Sequence, residues 1–231
     1  MKPVIILGDS ILKGVVYKDD KYIKCENNVV DLVRSATNLE INNLSVFGQT
    51  IQKLYSKGIV SKTLENTKNS YIVIELGGND SDFNWNEVVS NPSIEHDEKT
   101  PRNKFYELLV NLVQEIKSSG NTPILCTLPP ISANKYFNFI SKKYDGGKIL
   151  EFFYNDISNI YRHHEFYSNL IKKCAIVTNT KVLDCRNDIL IERNYEKYIC
   201  DDGIHLNEQG HIYLAGKLIK QIDNLLKNKE F

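Results

Sequence analysis

Four short stretches of this sequence carry side chains that could do chemistry together. Gly8-Asp9-Ser10 follows an apolar run at residues 4–7 and precedes a predicted helical turn over residues 11–16. A serine at a helix start meets free backbone N–H groups that favour developing negative charge, and the glycine before it permits a tight strand-to-helix turn. Taken alone, Asp9 or Ser10 would only cap that helix. Asp202-Gly203-Ile204-His205 stands at the far end, before the last predicted helix. A serine hydroxyl needs a neutral imidazole within hydrogen-bond reach, and the imidazole needs a carboxylate to fix its tautomer. An aspartate three residues before a histidine, with glycine between, can turn both side chains to one point. Asp201 is an adjacent alternative partner, and the spacing by itself is equally that of a surface turn.

Between these ends lie two groups that could meet an oxyanion. Acyl transfer builds negative charge on the carbonyl oxygen, which preorganised N–H groups stabilise better than water does. Gly48, after the apolar run 44–47, can offer its backbone N–H at a predicted strand end. Gly77-Gly78-Asn79-Asp80, after the run 71–76, brings a side-chain amide to the next strand end. Each segment is also ordinary turn chemistry. Their order, with each at a predicted C-terminal strand end or in the last loop, sets the four apart.

That order resembles the SGNH hydrolases, the GDSL-type esterase and lipase family, from Gly8 to His205. The resemblance implies Ser10 as nucleophile, with its N–H in the oxyanion hole beside the N–H of Gly48 and the amide of Asn79. It implies His205 as general base and then acid, with Asp202 as its orienting partner. The implied fold is α/β, a flavodoxin-like three-layer α/β/α sandwich around a five-stranded parallel sheet. Ile11 stands where the family name has leucine, a conservative exchange. Leu206 stands where many members have proline, which is expected to loosen a turn without removing a reacting atom. Asp9, Asp80 and Trp85 are carried as candidate substrate contacts. The expected activity is acyl-ester hydrolysis through an acyl-enzyme, needing no metal or cofactor, on a small-molecule ester such as an acetylated carbohydrate. A short-chain thioesterase, a lysophospholipase, an acyltransferase and a silent carbohydrate- or lipid-binding module remain the alternatives.

The elements that must position these residues can be read from periodicity. Apolar, β-branched runs at 4–7, 44–47, 71–76, 123–127 and 182–183 alternate with helical patterns, which suggests βα units around a parallel sheet. The clearest helix follows Thr100-Pro101, with Thr100 as cap, Phe105, Leu108, Leu109, Leu112, Val113 and Ile116 at helical spacing, and Gly120 as stop. Residues 207–226 read as the last helix, with Tyr213, Leu214, Leu218, Ile219, Ile222, Leu225 and Leu226 inward, and 149–174 as another. Two polar stretches, 79–99 and 128–147, leave strand ends where open α/β sheets place ligands. The aromatics Tyr136, Phe137 and Phe139, and those that follow from Phe152 to Tyr167, could line a site, though helix-spaced aromatics more often pack a core.

Composition narrows the field. Lysine plus arginine and aspartate plus glutamate balance at 29 each and interleave along the chain, unlike the basic stripe of a nucleic-acid binder. No apolar run approaches 18 residues, so no membrane-spanning helix is expected, and the N-terminal run is short for a signal peptide. The chain reads as cytoplasmic and as one domain over residues 1–231. Five scattered cysteines without a Cys-x-x-Cys pair read as buried free thiols. Gly-x-Ser-x-Gly and Gly-x-Gly-x-x-Gly are absent, and Gly210 to Lys217 misses phosphate-loop spacing. His163-His164 is expected to be exposed or capping, since neighbours on a helix diverge by about 100°. His211 is expected to be a surface or packing residue, and no metal site is expected.

Overall fold

Apolar side chains alternate across β1 (Val4–Gly8), β5 (Tyr71–Glu75) and β6 (Thr122–Cys126), and each face buries its share against helices. This is the pattern of parallel strands covered on both sides. The computed structural model describes residues 2–227, with the side chains of 2–225. With β4 (Ile41–Asn43) and β7 (Lys181–Leu183), these strands form one parallel sheet of five, in the order β4-β1-β5-β6-β7. Val4 lies level with Ile41 and Tyr71, Tyr71 with Thr122, and Ile124 with Lys181.

Val4, Ile6, Val73 and Ile124 face α2 (Val29–Thr37), α10 (Cys185–Leu190) and α11 (Glu208–Lys227). Ile5, Leu7, Ile72, Ile74 and Leu125 face the other way, toward α3 (Ile51–Ser56), α4 (Ile59–Glu65), α6 (Arg102–Ser118) and α9 (Ser158–Thr178). Helix α6 alone buries Phe105, Leu109, Leu112, Val113 and Ile116, each contributing roughly 1.5–3 kcal/mol of hydrophobic stabilisation. The expected three-layer α/β/α sandwich around five parallel strands is the fold observed.

Several local expectations are corrected. The run 44–47 is not a strand; the edge strand is Ile41–Asn43, and Leu44 and Phe47 are exposed. Backbone bonding continues past it, since Leu44 N–H donates to Ile6 O and Val46 N–H to Gly8 O. The helical turn after Ser10 is only α1 (Ser10–Lys13); Val15 and Val16 enter a hairpin of β2 (Val15–Lys18) and β3 (Lys21–Lys24). The stretch 149–174 is two helices, α8 (Gly146–Phe152) and α9, separated where Tyr154 and Asn155 take left-handed φ of 55° and 60°. Pro101, not Thr100, occupies the cap of α6. The polar stretches contain α5 (Trp85–Ser90) and α7 (Ala133–Ile140), and with α8 they build a third apolar cluster around Phe83, Trp85, Tyr136 and Phe153. In α11, Leu214, Leu218 and Ile222 are buried as expected, while the Leu226 side chain lies outside the described residues. All five cysteines are free and buried.

Candidate active site

Ser10 opens α1 directly after β1, and Asp9 is the cap, its Oδ1 accepting the Ile11 N–H at 2.9 Å. Four residues are too few for a helix dipole to build, so individual N–H groups, rather than a helix field, await negative charge here. Gly8 is needed for room rather than for an unusual turn. It lies level with Glu75, and a Cβ on it would stand 2.7 Å from Ser45 Oγ.

The far segment is a closed turn. Ile199 and Leu206 bridge antiparallel, Cys200 N–H donates to His205 O at 2.8 Å, and Gly203 N–H to Cys200 O at 3.0 Å. Gly203 has φ +79°, and a Cβ there would lie 2.2 Å from Tyr136 N. The turn is therefore pressed on the start of α7, where Ser132 N–H donates to Gly203 O at 2.8 Å. Leu206 is fully buried in the core, so the residue that departs from the family pattern packs the turn in place rather than loosening it.

Asp202 is fully buried, and its Oδ1 accepts the N–H groups of Ile204 and His205, both at 3.1 Å. Its Oδ2 lies 2.6 Å from His205 Nδ1. A carboxylate only accepts, so the imidazole proton sits on Nδ1, and Nε2 can accept the Ser10 hydroxyl 2.8 Å away. Asp201 is 93% exposed and 4.0 Å from Lys135 Nζ, which removes it as the alternative partner.

Asn79 donates one amide N–H to Asp9 Oδ2 at 2.9 Å, leaving its second for a ligand. Gly48 follows Phe47, whose ring borders the cavity at Ser10; Gly48 itself does not line it, and its N–H meets no acceptor among the described residues. Beneath this site lie two buried carboxyls. Asp9 N–H donates to Glu75 Oε2 at 3.4 Å, and the two side chains hydrogen-bond to each other. Burial, then the adjacent Asp9 charge, holds the Glu75 pKa well above 4.5, and burial raises that of Asp9 despite donors from Ile11, Glu75 and Asn79. The pair titrates as a unit, with the shared proton on Glu75 because the outside donors converge on Asp9.

A cavity of about 90 Å³ opens beside these atoms. Ser10, Asn79 and His205 lie along it with Asp9, and Phe83, Trp85, Ile131, Tyr136, Phe153 and Ile160 continue its wall. Trp85 is thus brought to the cavity, but its Nε1–H is committed to Asp82 Oδ1 at 3.1 Å and Tyr136 Oη at 3.0 Å. Asp80 is not brought there. It is fully buried away from the cavity, where its Oδ1 accepts the Ile51 N–H at 3.0 Å and burial lifts its pKa to about 7. Its neighbour in sequence faces the site because a strand-end turn sends successive side chains opposite ways.

Two histidines expected to be exposed or capping belong to this wall. His164 is buried with Nδ1 3.4 Å from Arg186 Nη1; a guanidinium only donates, so the ring proton is on Nε2. Burial, then the Arg186 charge, brings the His164 pKa down to about 3. His163 pairs with Glu98 at 3.4 Å. The signal for the burial of His164 was indirect: α9 runs through a core, and His164 stands three residues before Tyr167 on its buried face. His211 is fully buried, as a packing residue would be, with Nε2 3.5 Å from Val15 O. Among the described residues no group of three or more His, Cys, Asp or Glu could hold a metal ion, and no helix is long and apolar enough to cross a membrane.

Comparison with known proteins adds to this geometry. The model of the GDSL-like Lipase/Acylhydrolase family matches residues 6–212. No curated protein matches the sequence. Among solved structures, a lipase/acylhydrolase from Enterococcus faecalis aligns with TM-score 0.61 at 18% identity, covering 97% of this chain and 96% of that one. An acetylxylan esterase from Geobacillus stearothermophilus aligns with TM-score 0.64 at 18% identity, covering 96% and 94%. The acetyl xylan esterase AlAXEase gives 0.62 at 21%, covering 95% and 99%. At such identities the likeness is one of fold.

Proposed function

The chain belongs to the GDSL-like lipase/acylhydrolase family of ester-hydrolysing enzymes, and from that membership we propose a short-acyl esterase whose residues 1–231 act as one domain. Its nucleophile is Ser10, its base His205 and its orienting carboxylate Asp202. The observation that carries the reading is the unbroken line from Asp202 through His205 to Ser10, at 2.6 and 2.8 Å, ending on the cavity wall. His205 Nε2 takes the hydroxyl proton as Ser10 attacks the ester carbonyl, and Asp202 stabilises the imidazolium. The Ser10 N–H and the free amide hydrogen of Asn79, both on the cavity, receive the oxyanion, with the Gly48 N–H, next to the cavity-lining Phe47, as the third donor that the family resemblance implies. His205 then protonates the departing alkoxide and activates the water that opens the acyl-enzyme.

Cavity size supports a short acyl group. About 90 Å³ is less than the roughly 150 Å³ that accommodates benzene, and buried Phe83, Phe153 and Ile160 wall it. An acetyl group fits among these walls, which favours an acetylated carbohydrate over a lysophospholipid. The acetyl xylan esterases of like fold point the same way.

Hydrolysis of p-nitrophenyl esters from acetyl to long acyl chains, with Ser10→Ala beside the parent protein, tests both parts. The expected rate is highest for acetyl, falls with chain length, and vanishes in the variant while circular dichroism is unchanged. Equal activity in Ser10→Ala overturns the mechanism, and a rate rising with chain length overturns the substrate.

A further inference from the structure

The reaction itself dictates where the two halves of the ester lie. The alcohol oxygen must leave with a proton from His205 Nε2, so the alcohol starts within hydrogen-bond reach of that nitrogen. With the carbonyl oxygen at Asn79 and the acyl group in the walled cavity, the alcohol extends outward past the His205 ring. Two aromatic rings border that path. The Tyr22 ring lies 5.2 Å from that of His205, the Phe47 ring 6.0 Å away and nearly parallel at 6°, and the two are 5.1 Å from each other.

Neither ring is explained by the core. Tyr22 is 43% exposed and Phe47 48% exposed, although each touches a buried histidine. Tyr22 sits on β3, every residue of which is exposed. What holds the hairpin is the other strand: Val16 packs with Cys25 and Cys200, and Tyr17 packs edge-on against Phe139 and donates its N–H to Cys200 Sγ. Asp19 and Asp20, at φ 51° and 57°, make the tight turn that brings Tyr22 back level with Tyr17. The sequence thus builds an anchored ribbon whose outer strand presents an aromatic face beside His205.

Resting on the esterase reading above, we propose that Tyr22 and Phe47 form the subsite for the alcohol, and that the alcohol is a pyranose ring of an acylated sugar. A pyranose has one flat face of C–H groups and a rim of hydroxyls. Half-exposed aromatic rings suit it, because the C–H face lies against the ring while the hydroxyls stay in water. A small aliphatic alcohol has no such face.

The test is the ratio of kcat/KM for an O-acetylated methyl pyranoside to that for ethyl acetate, measured by acetate release. Taking the ratio cancels any effect on His205 common to both esters. Tyr22→Ala and Phe47→Ala are each expected to lower it roughly three- to tenfold, the scale of an aromatic contact, and Tyr22→Phe to restore it. An unchanged ratio, with both esters slowed alike, overturns the proposal and makes the rings supports of His205. A loss seen only when phenyl acetate replaces the pyranoside overturns it in favour of an aryl alcohol. Ser10-dependent cleavage of ethyl acetate without any cleavage of the pyranoside removes the sugar subsite and spares the esterase. No Ser10-dependent cleavage of any ester removes both.

Discussion

Replacing Glu75 by glutamine should make the protein more stable, by a margin that grows with pH. Glu75 is buried at the end of β5, with Oε2 accepting the Asp9 N–H and its carboxyl proton shared with the Asp9 carboxylate. Glutamine reproduces that neutral arrangement, its carbonyl accepting from Asp9 N–H and its amide donating to the carboxylate. The difference lies in the unfolded chain, which releases the Glu75 proton near the ordinary value of 4.5 while the folded protein, with its raised pKa, retains it. The native state then binds more protons than the unfolded state, so this group's stability contribution is complete below pH 4.5 and declines as pH rises toward the raised folded value. The slope is about 1.4 kcal/mol per pH unit, and glutamine has no proton to retain. Urea unfolding at pH 5, 6, 7 and 8, followed through the single tryptophan, Trp85, reads the effect, and the comparison cancels the titrating groups outside the Asp9–Glu75 pair. Glu75→Gln should match the parent near pH 4.5 and gain on it steadily above. Glu75→Leu should lose about 1–3 kcal/mol for the Asp9 N–H it leaves unpaired, and activity with it, since Asp9 holds Asn79. A stability difference between glutamine and parent that does not change with pH, or a parent more stable at pH 8, refutes the reasoning.

Asp202→Asn should lower kcat by about 10³- to 10⁴-fold with the fold intact. The amide oxygen would keep the N–H groups of Ile204 and His205, turning its NH₂ toward His205 Nδ1 and forcing the proton to Nε2; a loss below tenfold in steady-state assays contradicts this. Gly203→Ala should cost about 3 kcal/mol or more, because a Cβ 2.2 Å from Tyr136 N cannot be housed at φ +79°. Thermal melting should show a fall of roughly 6–12 °C, and an unchanged melting temperature would mean that the turn is free to move off α7.

Much of this protein is decided within short windows of sequence. Apolar runs of four to six residues gave β1, β5 and β6, the pair 182–183 gave β7, and helical spacing gave α6 and α11, because burial against neighbouring layers leaves a pattern in the chain itself. The segments of Ser10, Asn79, Asp202 and His205 stood out because glycine and polar neighbours mark each one locally, while the roles proposed for them came from their order and the family resemblance it carries. The run 44–47 misled because an edge segment can be apolar and still face outward, and α2, α3, α4 and α10 escaped because short helices carry too few periods. Other features belong to the tertiary structure alone. That Asp202 meets His205 while Asp201 points to solvent follows from which carboxylate the closed turn buries. Asp80 is drawn away from the site by the Ile51 N–H, 29 residues distant in sequence. The Asp9–Glu75 proton, the His164 tautomer set by Arg186, and the Tyr22–Phe47 face on His205 each join segments that no local window spans. Residue type and spacing specify a group's chemistry, but burial and charged neighbours set its protonation and direction, and these exist only once distant segments are packed together.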